Sequence, residues 1–295
     1  MTPDKAIISA MSDFDPVQYT KDSRKTWNEA AARYDKLSSS LFGAVTDEFV
    51  IFAELRKGWE ALELACGPGI ASRAAARRLG EKGRLLSTDF APEMIALASS
   101  RPAEKRSAPI EFQQADAQKL DLPDACFDAV FCQLGLMLFA KPQDALKEMR
   151  RVAKPGAPVS VLVQGRRSAM LFTALVMDAI VARAPQFRTA GSGAPTLYAF
   201  GSDGVLEEAF TRADLTEIVT KRLSGVFRFK TPDDYWNTMT EGAGRTGAML
   251  RSLTPEVQAK VKADVLRRAL KRRVGGFVEI PYEFTMARGY APSRR

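Results

Sequence analysis

The 295-residue chain contains no histidine, so the commonest metal ligand and the commonest general base are both missing. It has only three cysteines, Cys66, Cys126 and Cys132. An odd number without spaced pairs argues against a disulfide framework or a zinc site, and buried free thiols are expected. No apolar run reaches the ~20 residues that span a bilayer. The longest, around Leu171 to Ala182 and Ala129 to Ala140, are interrupted by Asp178 and Gln133. The start, Met1-Thr2-Pro3-Asp4-Lys5, lacks the basic and apolar regions of a secretory signal, so a cytoplasmic location is expected. Internal repeats, low-complexity tracts and an aromatic-basic RNA-reading motif are also absent.

What the chain does have is an apolar run ending in a glycine turn, Ala61-Leu62-Glu63-Leu64-Ala65-Cys66-Gly67-Pro68-Gly69, followed some twenty residues on by Leu85-Leu86-Ser87-Thr88-Asp89-Phe90. A strand, a glycine turn, an amphipathic helix and a second strand ending in Asp form a βαβ unit whose carboxylate can reach a ribose diol. That pattern alone would also suit a dinucleotide and an NAD-dependent oxidoreductase. Two departures weigh against this: Ser72 occupies the place of the third glycine, and Glu63 sits just ahead of the turn, where it would repel a diphosphate.

Strands are predicted at 59–65, 84–89, 110–113, 127–132, 158–164, 218–229 and 277–286. Helices are expected at 27–34, 46–55, 70–79, 92–99, 142–152, 168–183 and 203–210, with a Gly/Ser/Pro-rich loop over 185–195 and two further helices before the last strand. The early alternation implies an α/β fold with a doubly wound, mostly parallel seven-stranded sheet. With 46% hydrophobic residues, the chain can bury one enlarged domain.

Glu63 to Gly69, Asp89, Asp116-Ala117, Phe127 to Gln133 and Arg151 to Ala157 together resemble the ordered motifs of class I S-adenosylmethionine (SAM)-dependent methyltransferases, in particular the small-molecule branch that includes the ubiquinone and menaquinone biosynthesis enzymes. The resemblance covers residues 58–165. It implies a Rossmann-like core over that span with SAM as cofactor. Residues 1–57 would form a helical cover, and 166–295 an acceptor-pocket insertion with the final antiparallel strands. By the same resemblance Gly67 and Gly69 pass beneath the cofactor, with Ala65 standing where the motif commonly has glycine. Glu63 would serve the methionine amino group or hold the turn. Asp89 would accept from both ribose hydroxyls, and Phe90 and Met94 would pack the adenine. Asp116 and the N–H of Ala117 would read its edge. Tyr34, with Trp27, would close over the methionine end. Gln133 and Leu134 would meet the cofactor, and Gln133, Met137 and Phe139, with Leu134 and Leu136, would face the transferable methyl.

The resemblance assigns no catalytic residue. If a proton must leave the acceptor, the sequence offers Tyr19, Tyr198, Tyr235, Glu241 and Tyr282 without choosing among them. No metal is expected, because Phe131 to Leu136 supplies no carboxylate for a hard cation. Phe172, Leu197, Tyr198, Phe200, Tyr235 and Trp236 would furnish a partly apolar pocket for a small-molecule acceptor. Residues 251–295 carry eleven Lys or Arg against four Asp or Glu. Val257, Val261, Val265 and Ala269 form a buried stripe there, with Arg267, Lys271, Arg268 and Arg272 on exposed sides. This is either a solvated helix face or a surface for an acidic partner, so an RNA-acting or RNA-binding protein stands as the alternative. The Asn/Asp-Pro-Pro-aromatic signature of amino-methylating relatives is absent after the fourth strand, and no nucleic acid partner is expected. The sequence leaves the oligomeric state open.

Overall fold

The computed structural model describes residues 14–187, 194–242 and 244–293. The strands that begin the fold are buried on both faces, because helices cover both sides of the sheet. Strand β1 (Glu60–Leu64) is buried from Ala61 onward. It pairs in parallel with β2 (Arg84–Asp89) on one side and β4 (Ala129–Gln133) on the other. β3 (Ile110–Gln114) continues from β2, and the wholly buried β5 (Pro158–Gln164) continues from β4. The order is therefore β3-β2-β1-β4-β5, with the direction of winding reversing between β1 and β4. A crevice at the carboxyl ends of the strands next to such a reversal is where open α/β sheets bind ligands.

The late strands add antiparallel pairing to the sheet, as expected. β8 (Phe277–Tyr290) runs antiparallel between β5 and β6 (Thr216–Phe229), so the outermost strand β6 again points the same way as β5. A two-residue strand, β7 (Arg273–Val274), folds back on β8 and makes eight strands rather than seven. Helices α3 (Ile70–Leu79), α4 (Pro92–Ser99) and α5 (Pro142–Val152) fill the crossovers. α5 shows why: Ala145, Leu146, Met149 and Val152 recur at helical spacing and are all buried, while its remaining face is charged.

The N-terminal cover is more continuous than its sequence pattern suggests. α1 runs from Pro16 to Leu41, starting well before Trp27, because Asp15 accepts from Val17 N and Gln18 N and Pro16 fits the first turn. α2 (Gly43–Phe52) follows directly. Past β5 lie α6 (Leu171–Val181), α7 (Val205–Arg212), α8 (Pro232–Gly242), α9 (Gly244–Ser252) and α10 (Pro255–Leu270). Three helices, not two, thus precede β8. Thr254 caps α10, whose Val261, Val265 and Ala269 are buried as the pattern predicts. α1 packs against α4, α8 and α9, so both ends of the chain roof the carboxyl edge of the sheet. Met1 to Lys5 and most of the 185–195 loop lie outside the described residues. Among the described residues, no helix is long and apolar enough to cross a membrane.

Candidate functional site

Four strand ends converge on one pocket beneath α1. Ala65 and Gly67 come from the turn after β1, Asp89 and Phe90 from β2, Ala115 to Gln118 from β3, and Gln133 to Gly135 from β4. Its roof is one face of α1, where Tyr19, Ser23 and Trp27 follow at i,i+4 spacing and Tyr34 lies further along. The pocket holds roughly 710 Å³, part of it continuous with solvent.

Asp89 is fixed by two backbone donors. Gly67 N donates to Oδ2 and Ala91 N to Oδ1, each at 2.9 Å. Burial raises its acid to about pH 6 against those bonds, and among the described residues no cation pairs with it. The carboxylate therefore keeps capacity for further donors. Phe90 and Met94 line the same end. Asp116 also lines it, with Oδ1 already accepting from Gln118 N (2.9 Å) and Gln118 Nε2 (3.0 Å), as a turn aspartate does. Ala117 lies beside it. Arg151 and Glu148 of α5 hold this loop from behind. Arg151 donates to the carbonyls of Leu120 and Leu122, and Glu148 accepts from Leu120 N.

Two backbone turns bring the strand ends close enough to form a floor. Ala65 has φ 54° and Leu134 φ 59°, both in the left-handed region that costs a side-chain-bearing residue. Ala65 therefore holds a conformation in which glycine would be relaxed. Gly135 is required for a different reason: a Cβ there would come within 2.6 Å of Ala65 Cβ and 2.7 Å of Cys132 Sγ. Gln133 Nε2 donates to Thr46 Oγ1 of α2 at 2.9 Å, which leaves its buried Oε1 without a partner among the described residues.

Three expected site residues are placed elsewhere. Glu63 points into the core, where it accepts from Ser72 Oγ at 2.5 Å and Ser87 Oγ at 2.8 Å. Ser87 is its register neighbour on β2, and Ser72 is the residue that takes the place of a third glycine. The turn's N–H groups are not among its partners in the described residues. Burial, offset by the two serine bonds, raises its acid to about pH 7, and Asp89's charge adds to the rise. Gly69, with φ 84°, starts α3, and a Cβ there would meet Ala98 and Phe112, so it serves packing rather than the pocket floor. Met137 is turned into an adjoining chamber, where its Sδ accepts from Gln164 N at 3.3 Å.

That second chamber shares Trp27, Tyr34, Leu134 and Leu138 with the first. Phe42, Phe172 and Leu197 give it apolar walls, and Gln164, Thr173, Arg245 and Thr246 add polar groups. Phe139 faces the first chamber and Leu136 is core. Phe200, Tyr235 and Trp236 are core as well, not pocket wall. Of the base candidates, Tyr19 lines the first chamber. Tyr198 is hydrogen-bonded to Thr173 at 2.9 Å, and burial pushes its phenol up to about pH 12. Tyr235 donates to Phe172 O from within the core. Tyr282 packs on Phe227 and Phe284, and Glu241 lies in a separate surface groove. The positions not anticipated, Thr20, Ser23, Gln118, Leu138 and Arg245, fall on α1, on loop tips and on α9. Only the i,i+4 spacing of Tyr19, Ser23 and Trp27 was visible in the sequence.

All three cysteines are free; Cys66 and Cys132 are buried and Cys126 is partly exposed. Among the described residues no group of His, Cys, Asp and Glu could hold a metal. The basic C-terminal helix is partly self-neutralised, since Arg267 and Arg268 both pair with the buried Asp264.

Residues 62–161 match the family model described as a methyltransferase domain. The chain is 32% identical over 150 residues to the ubiquinone/menaquinone biosynthesis C-methyltransferase UbiE of Azotobacter vinelandii, covering 49% of this chain and 59% of that one. It therefore spans about three fifths of the length of that relative. In fold it is similar to a methyltransferase from Bacillus halodurans, with a TM-score of 0.55 at 14% identity, covering 85% of this chain and 100% of the other. It is also similar to a Haemonchus contortus phosphoethanolamine N-methyltransferase solved with S-adenosyl-L-methionine, with a TM-score of 0.57 at 14% identity, covering 90% of this chain and 57% of that one. The matches show a methyltransferase domain over residues 62–161, and the parallel sheet with a crevice at its winding reversal is the fold shared by class I SAM-dependent methyltransferases.

Proposed function

We propose that this protein is a cytoplasmic enzyme that moves a methyl group from SAM to an O, N or C atom of a small, partly apolar acceptor. SAM occupies the first chamber and the acceptor the second. The observation that carries this reading is the chemistry of the first chamber's wall. Among its described lining residues are the carboxylates of Asp89 and Asp116 and the unpartnered Oε1 of Gln133, but no lysine or arginine. A dinucleotide diphosphate would find no cation there. SAM brings two hydroxyls, an ammonium and a sulfonium, and these suit acceptor atoms.

Asp89 takes the ribose hydroxyls, and Phe90 and Met94 enclose the adenine beside Asp116 and Ala117. Gly67 gives the ligand room next to Tyr34, and Gln133 and Leu134 lie toward the second chamber. Glu63 acts on the site indirectly, by fixing the strand and helix that carry the turn. When bound, SAM supplies a methyl already activated on sulfur. The chain's work is then to hold an acceptor atom in line with it and to exclude water, which is chiefly a positioning effect. The division into a cover (1–57), a cofactor core (58–165) and an insertion (166–295) belongs to the same proposal. So does a small-molecule rather than nucleic-acid acceptor, which the largely apolar walls of the second chamber support.

Calorimetry tests the cofactor assignment. S-adenosylhomocysteine and SAM should bind, with NAD at least a hundredfold weaker; tight NAD binding without SAM binding would overturn it. A methyl-transfer screen over metabolite extracts then tests the acceptor class. Transfer to RNA alone, with the steep salt dependence of phosphate contacts, would replace it with the nucleic-acid reading.

A further inference from the structure

We infer that the acceptor is a monoanion, an apolar body bearing one ionised oxygen group, and that Arg245 is the residue that selects it. This rests on the methyltransferase reading and concerns the second chamber only.

The chamber's described lining is apolar or neutral except for one ionic group, the Arg245 guanidinium. Arg245 stands in the first turn of α9, and its neighbour Thr246 lines the chamber too. Its Nη1 donates to Tyr19 Oη at 2.9 Å and to Pro195 O at 3.1 Å, and the guanidinium lies over the Tyr19 ring, 5.2 Å from its centroid. Tyr19 in turn donates to Leu138 O at 3.1 Å, and Leu138 belongs to both chambers. The cation is therefore fixed at the junction where acceptor and cofactor meet. Among the described residues no carboxylate lies within salt-bridge distance of it, whereas Arg183, Arg222, Arg228, Arg267, Arg268 and Arg288 each have one. A half-buried guanidinium held only by neutral oxygens retains donors for an anion. The amino-terminal end of α9 adds its partial positive charge on the same side.

The same feature resolves the missing base. Tyr198 is bonded to Thr173 and neither histidine nor carboxylate lines this chamber. An acceptor that is already ionised needs none. Its anionic oxygen, or a carbon conjugated with that oxygen, forms the bond to the methyl carbon as the methyl–sulfur bond breaks and leaves its electron pair on sulfur. Anion and sulfonium give a neutral product and a neutral thioether. Arg245 favours the ionised form of the acceptor before transfer and loses its partner afterwards, which promotes release.

The test uses three matched probes, 1-naphthoate, 1-naphthamide and 1-naphthylmethylammonium, titrated into the full chain saturated with S-adenosylhomocysteine. Naphthoate should bind at least about tenfold more tightly than the amide, the scale of one charge-assisted bond, with the ammonium weakest. Arg245→Gln should erase the preference for naphthoate, Arg245→Lys should retain part of it, and both should bind S-adenosylhomocysteine like the parent. Equal binding of amide and carboxylate, no saturable naphthoate binding, or a preference that survives Arg245→Gln would each overturn the inference. Failure of the parent protein to bind S-adenosylhomocysteine would instead overturn the cofactor assignment beneath it.

Discussion

Buried carboxylates occur in both halves of the molecule, and the two halves treat them in opposite ways. In the C-terminal half each is surrounded by arginine. Asp264 meets Arg183, Arg267 and Arg268, and Glu283 meets Arg166 and Arg222. Bonds from Arg166 hold Glu283 below its ordinary acidity range; at Asp264 burial works the other way, but Arg268 and Arg267 prevail. In the N-terminal half, Glu63 and Asp89 have only hydroxyl and backbone partners, and burial raises both. Acids with their own cations are finished structural units. A cation-free acid facing a pocket is still available to a ligand, and a cation-free acid facing serines stabilises a turn at the cost of carrying uncompensated charge.

The largest test of this contrast is Asp89→Ala. Loss of two hydroxyl bonds to a charged acceptor should weaken S-adenosylhomocysteine binding by about 1.5–3 kcal/mol, roughly ten- to a hundredfold. Asp264→Ala should leave that affinity unchanged. Equal loss in both variants would erase the distinction between the two halves.

The second test is pH. Asp89 must be ionised to accept from a diol, so affinity should fall about tenfold per unit as pH drops below about 6 in calorimetry. Stability of the ligand-free protein runs the other way at this end. Glu63 and Asp89 are raised above their unfolded values, so their contribution is full below those values and is lost as pH rises toward about 7. Thermal midpoints should therefore rise on going from pH 7.5 to pH 5.5, and Glu63→Gln should flatten the slope. Asp264 and Glu283 are depressed, so their contribution is present above the unfolded values and disappears as acid protonates them.

The third is the stability cost of Asp264→Ala. Urea unfolding should show a loss of about 1–2 kcal/mol, kept small because Arg267 is largely solvent-exposed and can rehydrate. A change below measurement would show that the arginine cluster is surface decoration. The smallest is Ala65→Gly, which relieves the left-handed backbone but adds unfolded-state freedom, and should raise stability by no more than about 1 kcal/mol. A clear loss would mean that the Ala65 methyl is needed as packing beside Gly135.

The lining of the first chamber was largely legible in the sequence because its signals are local. β1 and β2 end in the residues that matter, and Asp89, Phe90, Asp116 and Gln133 reach the pocket simply by standing at strand ends. Glu63 misled for the same reason: its position beside the turn suggested a ligand, while alternation along β1 turns it toward Ser72 and Ser87. The second chamber was legible only in part, through Phe172 and Leu197. Gln164, Thr173 and Arg245 come from three separate elements that tertiary packing alone brings together, and no spacing encodes that. The length of α1 was missed because its N-terminal half is polar; its buried residues, Ala30, Ala31, Leu37 and Ser38, all lie in the second half.

The Glu63–Ser72–Ser87 cluster also bears on how such a chain could diverge. Gaining a dinucleotide-type turn would call for glycine at Ser72, and that step alone strips a buried acid of a hydrogen bond. Removing Glu63 first strands two buried hydroxyls. Neither single step is neutral, so the turn and its buried acid are coupled in this chain. The route out requires coordinated change at three positions that are distant in sequence and adjacent in space.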